Sequence, residues 1–238
     1  MDRKTQSLAP ISSPVSMEKF AYNAIKEAIL TFRFLPGENL VEATLAMQLN
    51  TSKTPVRDAL THLVREGFIE KVPFKGYYVT QISRQDMIEL FEIRAALEGL
   101  VTRHAVSKIT PGILAQLQAL VDEHTRASEE NDDILASRTN TEFHELLIAW
   151  GGSERIIAIL TNLDEHLQRY RVLSYVSAGR LQKSAREHEE IMRAIKNGDA
   201  HGAELATRNH LLSVSSDLAQ QDFDLLIRKI GEPQSVER

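Results

Sequence analysis

The sequence contains no cysteine, which excludes disulfide bonds and every metal or catalytic site that depends on a thiolate. It has no apolar run of about eighteen residues or more, so no membrane-spanning helix is expected. The first sixteen residues lack the apolar segment of a secretory signal and are rich in Ser and Pro. These absences favour a protein of the reducing cytoplasm without a membrane partner, and they predict a flexible arm over residues 1–15.

Charge is distributed unevenly along the chain, whose formal net charge is −5. Residues 1–83 contain ten Lys/Arg and eight Asp/Glu, whereas the remainder contains eighteen and twenty-five. A mildly basic N-terminal part joined to an acidic body is compatible with nucleic-acid binding at one end only.

The N-terminal part has the pattern of a winged helix-turn-helix. Apolar residues four apart indicate a first helix from Ser16, which Pro36-Gly37 ends, and a short second helix follows over 42–49. Ser52 is a plausible N-cap for a third helix over 53–66, and Gly67 suits its C′ position. Two short β-prone runs, 68–72 and 77–80, then predict a hairpin. The domain is expected to span 16–83.

The third helix is the candidate for insertion into the major groove. Its face opposite the apolar stripe carries Lys53, Thr54, Arg57 and Thr61. Arg can bind guanine through two hydrogen bonds, while Lys and Thr can contact phosphates or bases. In the hairpin, Lys71 and Lys75 could reach the phosphate backbone or an adjacent groove. The alternative from composition alone is a small helical module for protein contact, with these cations as ordinary solvated surface.

After Ser83 the sequence pattern changes. Gly and Pro become sparse, and helical periodicity runs almost to the end of the chain. This pattern predicts an all-helical antiparallel bundle of six to seven helices over 84–230, followed by a tail over 231–238. The expected helices are 85–107, 111–130, 132–149, 154–175, 180–197 and 200–221, with a short one near 222–230. The fold class is therefore mostly α.

Three of the eight histidines have a spacing that could bring them together. His188 and His210 flank the Asn197-Gly198-Asp199 turn at nearly equal distances, so in an antiparallel hairpin their heights differ by only about 2 Å. His144 lies four residues after Asn140, which places both on one helix face. If that helix packs alongside the hairpin, three imidazoles and one amide oxygen converge.

Such a group could bind a divalent metal ion. Imidazole nitrogen suits Zn²⁺, Ni²⁺ and similar ions, and three His leave coordination positions open for water or a ligand oxygen. The alternative for each single His is a solvated or hydrogen-bonded side chain. The remaining histidines have no comparable spacing and are assigned that alternative: His62, His104, His124, His166 and His201.

The N-terminal part also resembles a known family. The segments AIKEAIL at 24–30, LPGENLVEA at 35–43, LNTSKTPVRDAL at 49–60 and LVREGFI at 63–69 resemble the GntR family of regulators. This resemblance implies that Lys53, Thr54 and Arg57 contact DNA and that Gly76 lies at the tip of the wing. Ala43 departs from members that carry a DNA-reading Arg there, so the operator sequence cannot be transferred from them.

The body resembles the FCD ligand-binding domain of FadR-type GntR regulators. The matching segments are FEIRAALE at 91–98, Phe143-His144 and EHEEIMRAIKNGD at 187–199, followed by His210-Leu211. The resemblance implies a divalent metal site made by a D-x-x-x-H pair and two later His, here Asn140, His144, His188 and His210. Asn140 replaces the Asp, so the site loses one negative charge and its metal affinity should be weaker.

The resemblance further implies a small carboxylate effector held near the metal and a homodimer that reads two half-sites. The arginines on helices that could line the effector cavity are Arg94, Arg103, Arg169 and Arg171. Each of them has the alternative of an ordinary ion pair. At Ser153 members often have Asn, and Ser can still cap the next helix.

These features raise three candidate functions. The first is a transcriptional regulator whose affinity for double-stranded operator DNA is modulated by a small organic acid. The second is a regulator for which the metal ion itself is the signal. The third is a metalloenzyme, which the sequence disfavours because His144-Glu145 is not followed by the second His of H-E-x-x-H and no activated nucleophile stands out.

Overall fold

The computed structural model describes residues 17–175, 177 and 179–231. The predicted arm over 1–15 and the predicted tail, apart from Gly231, lie outside these residues. The chain divides into two compact units, residues 1–81 and 82–238. Among the described helices, none combines the length and apolar character that crossing a bilayer requires.

The first unit contains three helices and a small antiparallel sheet. Its helices are α1 (Met17–Leu30), α2 (Glu42–Gln48) and α3 (Lys53–Arg65), and its strands are β1 (Asn39–Leu40), β2 (Ile69–Val72) and β3 (Gly76–Val79). The strand order is β1-β3-β2, with Val72 opposite Gly76 at the turn and Asn39 opposite Tyr78 on the other side.

One apolar core joins these elements, because each helix buries most of the stripe that its periodicity predicts, although Phe20 of α1 is 50% exposed. Ile25 and Ile29 of α1, Leu60 and Leu63 of α3, and Phe68 before β2 are at most 1% exposed. The α3 helix ends as expected, since Gly67 follows it with φ +80°. Ser52 occupies the N-cap position, although its side chain makes no capping hydrogen bond.

The second unit consists of seven helices in its described residues. They are α4 (Arg84–Val106), α5 (Pro111–Glu130), α6 (Asp133–Gly151), α7 (Glu154–Tyr175), α8 (Arg180–Lys196), α9 (Ala200–Ala219) and α10 (Phe223–Gly231). The helices pack mainly as α4 on α9, α5 on α6, and α8 on α9, with α4 also against α6 and α7.

Side-chain caps begin several of these helices. Thr110 accepts from the Ile113 amide with Pro111 in the first turn, Asp132 accepts from Leu135, and Asp199 accepts from Gly202. Ser153 also accepts from an amide three residues on, at 3.4 Å. These caps supply partners for the free amides of each first turn and so set where each helix starts.

A winged helix-turn-helix followed by an all-helical bundle confirms the predicted fold class. The hairpin of β2 and β3 lies where the β-prone runs predicted it. Strand β1 was not predicted, because it contains only two residues and exists through pairing with β3, which is far away in sequence.

Candidate metal centre and nucleic-acid interface

Three histidines of the second unit come together in its interior. His144 of α6, His188 of α8 and His210 of α9 each offer a ring nitrogen, and these nitrogens lie within 4.8 Å of one another. All three side chains are at most 2% exposed. The group is therefore a buried three-histidine cluster that could hold a metal ion.

The helical hairpin of α8 and α9 brings two of the three histidines together. Gly198, with φ +68°, makes the turn between the two helices, and His188 and His210 lie at matching heights on the facing sides. Their ring centroids are 4.6 Å apart. His144 of α6 completes the group, with ring centroids 5.3 Å from His188 and 5.2 Å from His210.

Two carboxylates, the buried Glu98 and the partly buried Glu187, hold two of the three rings. His144 Nδ1 donates to Glu98 Oε2 at 2.7 Å, and His210 Nδ1 donates to Glu187 Oε2 at 2.8 Å. A carboxylate can only accept, so Nδ1 is the donor in both rings, and Nε2 presents a lone pair in the neutral form of each. Metal-binding histidines commonly have this second partner, which fixes the ring and its tautomer.

The two Nε2 atoms then face each other at 3.3 Å. If both rings are neutral, the two lone pairs repel at this distance, so the contact requires a cation between them, either a proton that one ring donates to the other or a metal ion. Two nitrogens bound to one Zn²⁺ at about 2.0–2.1 Å lie about 2.8–3.4 Å apart over octahedral to tetrahedral angles. The separation of His144 and His210 therefore fits a shared cation.

His188 gives the strongest sign that the cluster needs an additional partner. Its side chain is fully buried, and neither ring nitrogen has a hydrogen-bond partner among the described residues. Burial, together with the neighbouring His210 and His144, holds its pKa well below the usual range. A neutral imidazole with an unpaired lone pair is the form that binds a metal ion.

The protonation states of His210 and its partner Glu187 also favour metal binding. Burial lowers the pKa of His210 to about 4, despite its bond to Glu187. Burial opposes ionisation of Glu187, but hydrogen bonds from His210, Ser213 and Arg180 outweigh it and lower the pKa to about 2. At neutral pH the ring is therefore a neutral ligand beside a charged carboxylate.

Asn140 lies beside the three histidines, but it is only half-buried. It lines a narrow cavity together with His144 and His210. Its Nδ2 donates to the Tyr175 hydroxyl at 3.3 Å, which leaves the amide oxygen as the atom available to a cation.

Two cavities adjoin the cluster, and both are lined by Arg94, His144 and Arg171. The larger has a volume of about 300 Å³ and apolar walls that include Ile157 and Leu160. That volume is at the lower end of small-molecule sites. Both arginines are buried at 5–8% exposure.

Each of these arginines already has a carboxylate partner. Arg94 pairs with Glu98 on the same helix and lies 3.4 Å from Asp164, and Arg171 donates to both oxygens of Asp164 at 2.6 and 2.8 Å. The arginines and the carboxylates therefore balance, and a bound divalent ion would add an excess of positive charge.

Two other predicted effector residues do not line either cavity. The side chain of Arg103 is 55% exposed and lies 3.5 Å from Glu204, so the structure places it on the surface. Arg169 is buried, but its side chain is absent from the lining of both cavities, because it leaves α7 on another face than Arg171. Neither residue lines these two cavities, and the assignment of both to effector binding stays a prediction.

Sequence reasoning missed four residues that the fold brings to the centre. They are the two carboxylates that hold the rings, a buried arginine that pairs with one of them, and a fourth buried imidazole: Glu98, Glu187, Arg180 and His124. His124 donates through Nδ1 to the Ala136 carbonyl at 3.0 Å, and its ring centroid is 4.9 Å from that of His188. Glu187, next to His188 in sequence, and Glu98, four residues after Arg94, carried a local signal.

In the first unit, α3 presents its polar face to solvent. Lys53, Thr54 and Arg57 are exposed, while Val56 and Leu60 on the opposite side are completely buried. Thr61 is half-buried, and its hydroxyl donates to the Arg57 carbonyl at 2.8 Å. The cationic side chains are therefore accessible to a partner such as DNA.

The turn between β2 and β3 carries the other predicted contacts. Lys75 is exposed there, and Gly76 begins β3 with φ +107°. This backbone conformation favours glycine, so the residue sets the shape of the turn. Lys71 of β2 is also exposed.

Comparison with known proteins identifies both units. The family described as "Bacterial regulatory proteins, gntR family" matches residues 18–79, and the FCD domain matches residues 89–213, which is more than half of the chain. The first match contains α3 and the hairpin, and the second contains His144, His188 and His210.

Relatives agree with this assignment. The chain is 28% identical over 193 residues to the HTH-type transcriptional regulator YdhC of Bacillus subtilis, covering 79% of this chain and 86% of that protein. It is 28% identical over 211 residues to the HTH-type transcriptional repressor RspR of Escherichia coli, covering 88% and 91%.

A solved structure shares the fold. E. coli McbR/YncC superposes with a TM-score of 0.64 at 23% identity, covering 91% of this chain and 99% of that chain. These domains and relatives are those of transcriptional regulators rather than enzymes. The chain belongs to the gntR family of bacterial regulatory proteins, and it is a DNA-binding transcriptional regulator of the FadR type with a C-terminal FCD domain.

Proposed function

We propose that operator binding by this regulator is modulated by a small carboxylate that binds in the FCD domain beside a divalent metal ion. His144, His188 and His210 would hold the ion, with the Asn140 amide oxygen as a further ligand. Zn²⁺ and Ni²⁺ are the candidate ions. The single observation that carries the proposal is the pair of Nε2 atoms 3.3 Å apart, each opposite an Nδ1 bound by a carboxylate.

Charge balance supports an anionic effector. Without an ion, Arg94 and Arg171 are matched by Glu98 and Asp164 around the 300 Å³ cavity. A bound divalent ion supplies positive charge and open coordination positions for a carboxylate oxygen. Arg94 and Arg171 would orient the same anion, because the guanidinium fork matches the carboxylate geometry.

On the DNA side, we infer that α3 enters the major groove of a double-stranded operator. Exposure of Lys53, Thr54 and Arg57 supports this, and the half-buried Thr61 would contribute its methyl group. Lys75 and Gly76 would bring the wing to the backbone. Two copies in a homodimer would read two half-sites, which is how helix-turn-helix regulators gain enough contacts.

The ligand half of the proposal is tested by thermal unfolding of the full chain. Zn²⁺ alone should raise the melting temperature, and a member of a panel of small hydroxy acids and sugar acids should raise it further only when Zn²⁺ is present. A carboxylate that stabilises the Zn²⁺-free protein equally would remove the metal from effector binding. Arg171→Ala should lose the carboxylate shift and retain the Zn²⁺ shift, and the exposed Arg103→Ala serves as its matched control.

The DNA half is tested separately by gel shift on duplexes selected from a randomised pool. Arg57→Ala should bind these duplexes more weakly than the wild type. Equal binding would show that the assignment of the recognition helix is wrong, whatever the histidines hold.

The second candidate is a regulator that senses the metal ion itself. It is favoured by the origin of the three ligands, because an ion at this place would join α6, α8 and α9 directly. The two candidates differ in one measurement. In a metal sensor, Zn²⁺ or Ni²⁺ alone changes affinity for the selected duplex, whereas in a carboxylate sensor the affinity changes only when the organic acid is added.

A further inference from the structure

The candidate base-reading arginine is held by a carboxylate from the neighbouring helix. Glu42 is the first residue of α2, and its carboxylate accepts from Arg57 Nε at 3.0 and 3.1 Å and from Arg57 Nη2 at 2.7 Å. The Arg57 side chain is 60% exposed, whereas that of Glu42 is 22% exposed. The carboxylate is therefore mostly covered, and the guanidinium is mostly open to solvent.

The atoms used by this pair leave the rest of the guanidinium available. Arg has five N–H donors in a rigid plane, and Glu42 engages the edge formed by Nε and Nη2. The other edge, formed by Nη1 and the second hydrogen of Nη2, has no acceptor among the described residues. Guanine presents O6 and N7 side by side in the major groove, and two parallel N–H groups of Arg match them.

The position of Glu42 is otherwise unfavourable for a DNA-binding surface. The hydrogen bond from Arg57 is the main cause of its lowered pKa, and the charges of Lys53 and Lys71 contribute, so Glu42 stays ionised at neutral pH. A negative charge near the phosphate backbone opposes binding to any DNA sequence. A role in positioning Arg57 would explain why a negative charge is present at residue 42.

We propose that Glu42 is a positioning residue for base recognition: it holds the Arg57 guanidinium so that its free edge reads a guanine. This inference rests on the proposed role of Arg57 as the base-reading residue. Without Glu42, the long side chain would be free to exchange among phosphates, which carry no sequence information. Glu42 would thus reduce affinity for DNA in general and increase discrimination at one base pair.

The test compares base preference across variants of the full-length protein. Each variant is incubated with a pool of duplexes that have a randomised central segment, and bound and unbound duplexes are sequenced. Arg57→Ala should lose the preference for guanine at one position of each half-site. Glu42→Gln should reduce the preference at that same position about 5- to 10-fold, as part of the discrimination that an Arg–guanine pair supplies.

Two further readouts distinguish positioning from a general effect on structure or charge. Glu42→Gln should bind a random duplex more tightly than the wild type, because one repulsive charge is lost. In the Arg57→Ala background it should change no base preference, since the two residues act as one unit. Glu70→Gln, at an exposed position of β2, is the matched control and should leave the preference at that position unchanged.

The outcomes separate the inference from the proposal on which it rests. If Arg57→Ala keeps every base preference, the recognition assignment itself is wrong. If Arg57→Ala loses a preference that Glu42→Gln keeps or increases, only the positioning role is wrong, and an increase would mean that Glu42 withholds Arg57 from DNA. Thermal unfolding checks each variant, and Glu42→Asp, which retains the charge, should recover part of the preference.

Discussion

Replacing His188 with Leu should have opposite effects on the protein with and without a metal ion. His188 is fully buried against Phe143, with ring centroids 4.7 Å apart, and among the described residues nothing bonds either of its ring nitrogens. Leu has a similar volume and no polar atom. The substitution therefore removes a buried polar group that lacks a partner and, at the same time, removes a metal ligand.

The magnitudes follow from these two roles. An unsatisfied buried polar group costs about 1–3 kcal/mol, so the metal-free variant should be more stable than the wild type by about 1 kcal/mol or more. That gain corresponds to a rise of about 2–4 °C in melting temperature for a chain of this size. An ion at a hundred times its dissociation constant stabilises the wild type by about 2.7 kcal/mol, or roughly 5–10 °C, and should leave the variant unchanged.

The assay is calorimetric unfolding of the full chain, first with a chelator and then with Zn²⁺. His201→Gln is the matched control, because His201 lies on α9 like His210 but its side chain is 85% exposed. The control should keep the full Zn²⁺ shift and the wild-type stability in chelator.

Two results would refute the reasoning. A His188→Leu variant that is destabilised by several kcal/mol in chelator would show that the imidazole makes favourable polar contacts in the metal-free protein. An equal Zn²⁺ shift in variant and wild type would show that the ion binds elsewhere.

Three other substitutions test the surroundings of the site and the packing of the bundle. Glu187→Gln should weaken Zn²⁺ binding about 10- to 100-fold in a chelator competition, since it removes the charge that orients His210. Asn140→Asp should strengthen Zn²⁺ binding in the same competition by restoring a negative ligand, and unchanged affinity would place Asn140 outside the coordination sphere. Gly151→Ala should lower the free energy of urea unfolding by more than about 2 kcal/mol, because its Cβ would lie 1.9 Å from the Val101 carbonyl oxygen.

Local patterns in the sequence were sufficient for most of the secondary structure. The apolar stripe of α3 and the glycine after it specify a helix and its end, and both are determined within one or two turns of chain. The pairing of His188 with His210 was predictable for the same reason, because a short turn with Gly198 sets the relative height of two helices. Counting the residues on either side of that turn requires no knowledge of the fold.

Contacts between distant segments were not predictable in this way. Glu98 reaches His144 from a helix far away in sequence, and Arg180 reaches Asp217 across the α8–α9 pair. These partners depend on which helices become neighbours and on their rotation about their axes. The exposure of Arg103 has the same origin, since a position on a helix does not determine which way the side chain leaves it.

The histidine cluster combines features that a purely structural interior would not retain. Burying three imidazoles and the ionised Glu98 is costly, and a buried polar group is tolerated when its partners are complete. The partners of Glu98 and Glu187 are complete, because arginine and histidine side chains surround both. Those of His188 are not complete within the described residues. The carboxylates thus turn the Nε2 atoms of His144 and His210 toward each other beside His188, and a divalent cation at that point would satisfy all three rings and leave a positive charge facing the cavity of Arg94 and Arg171.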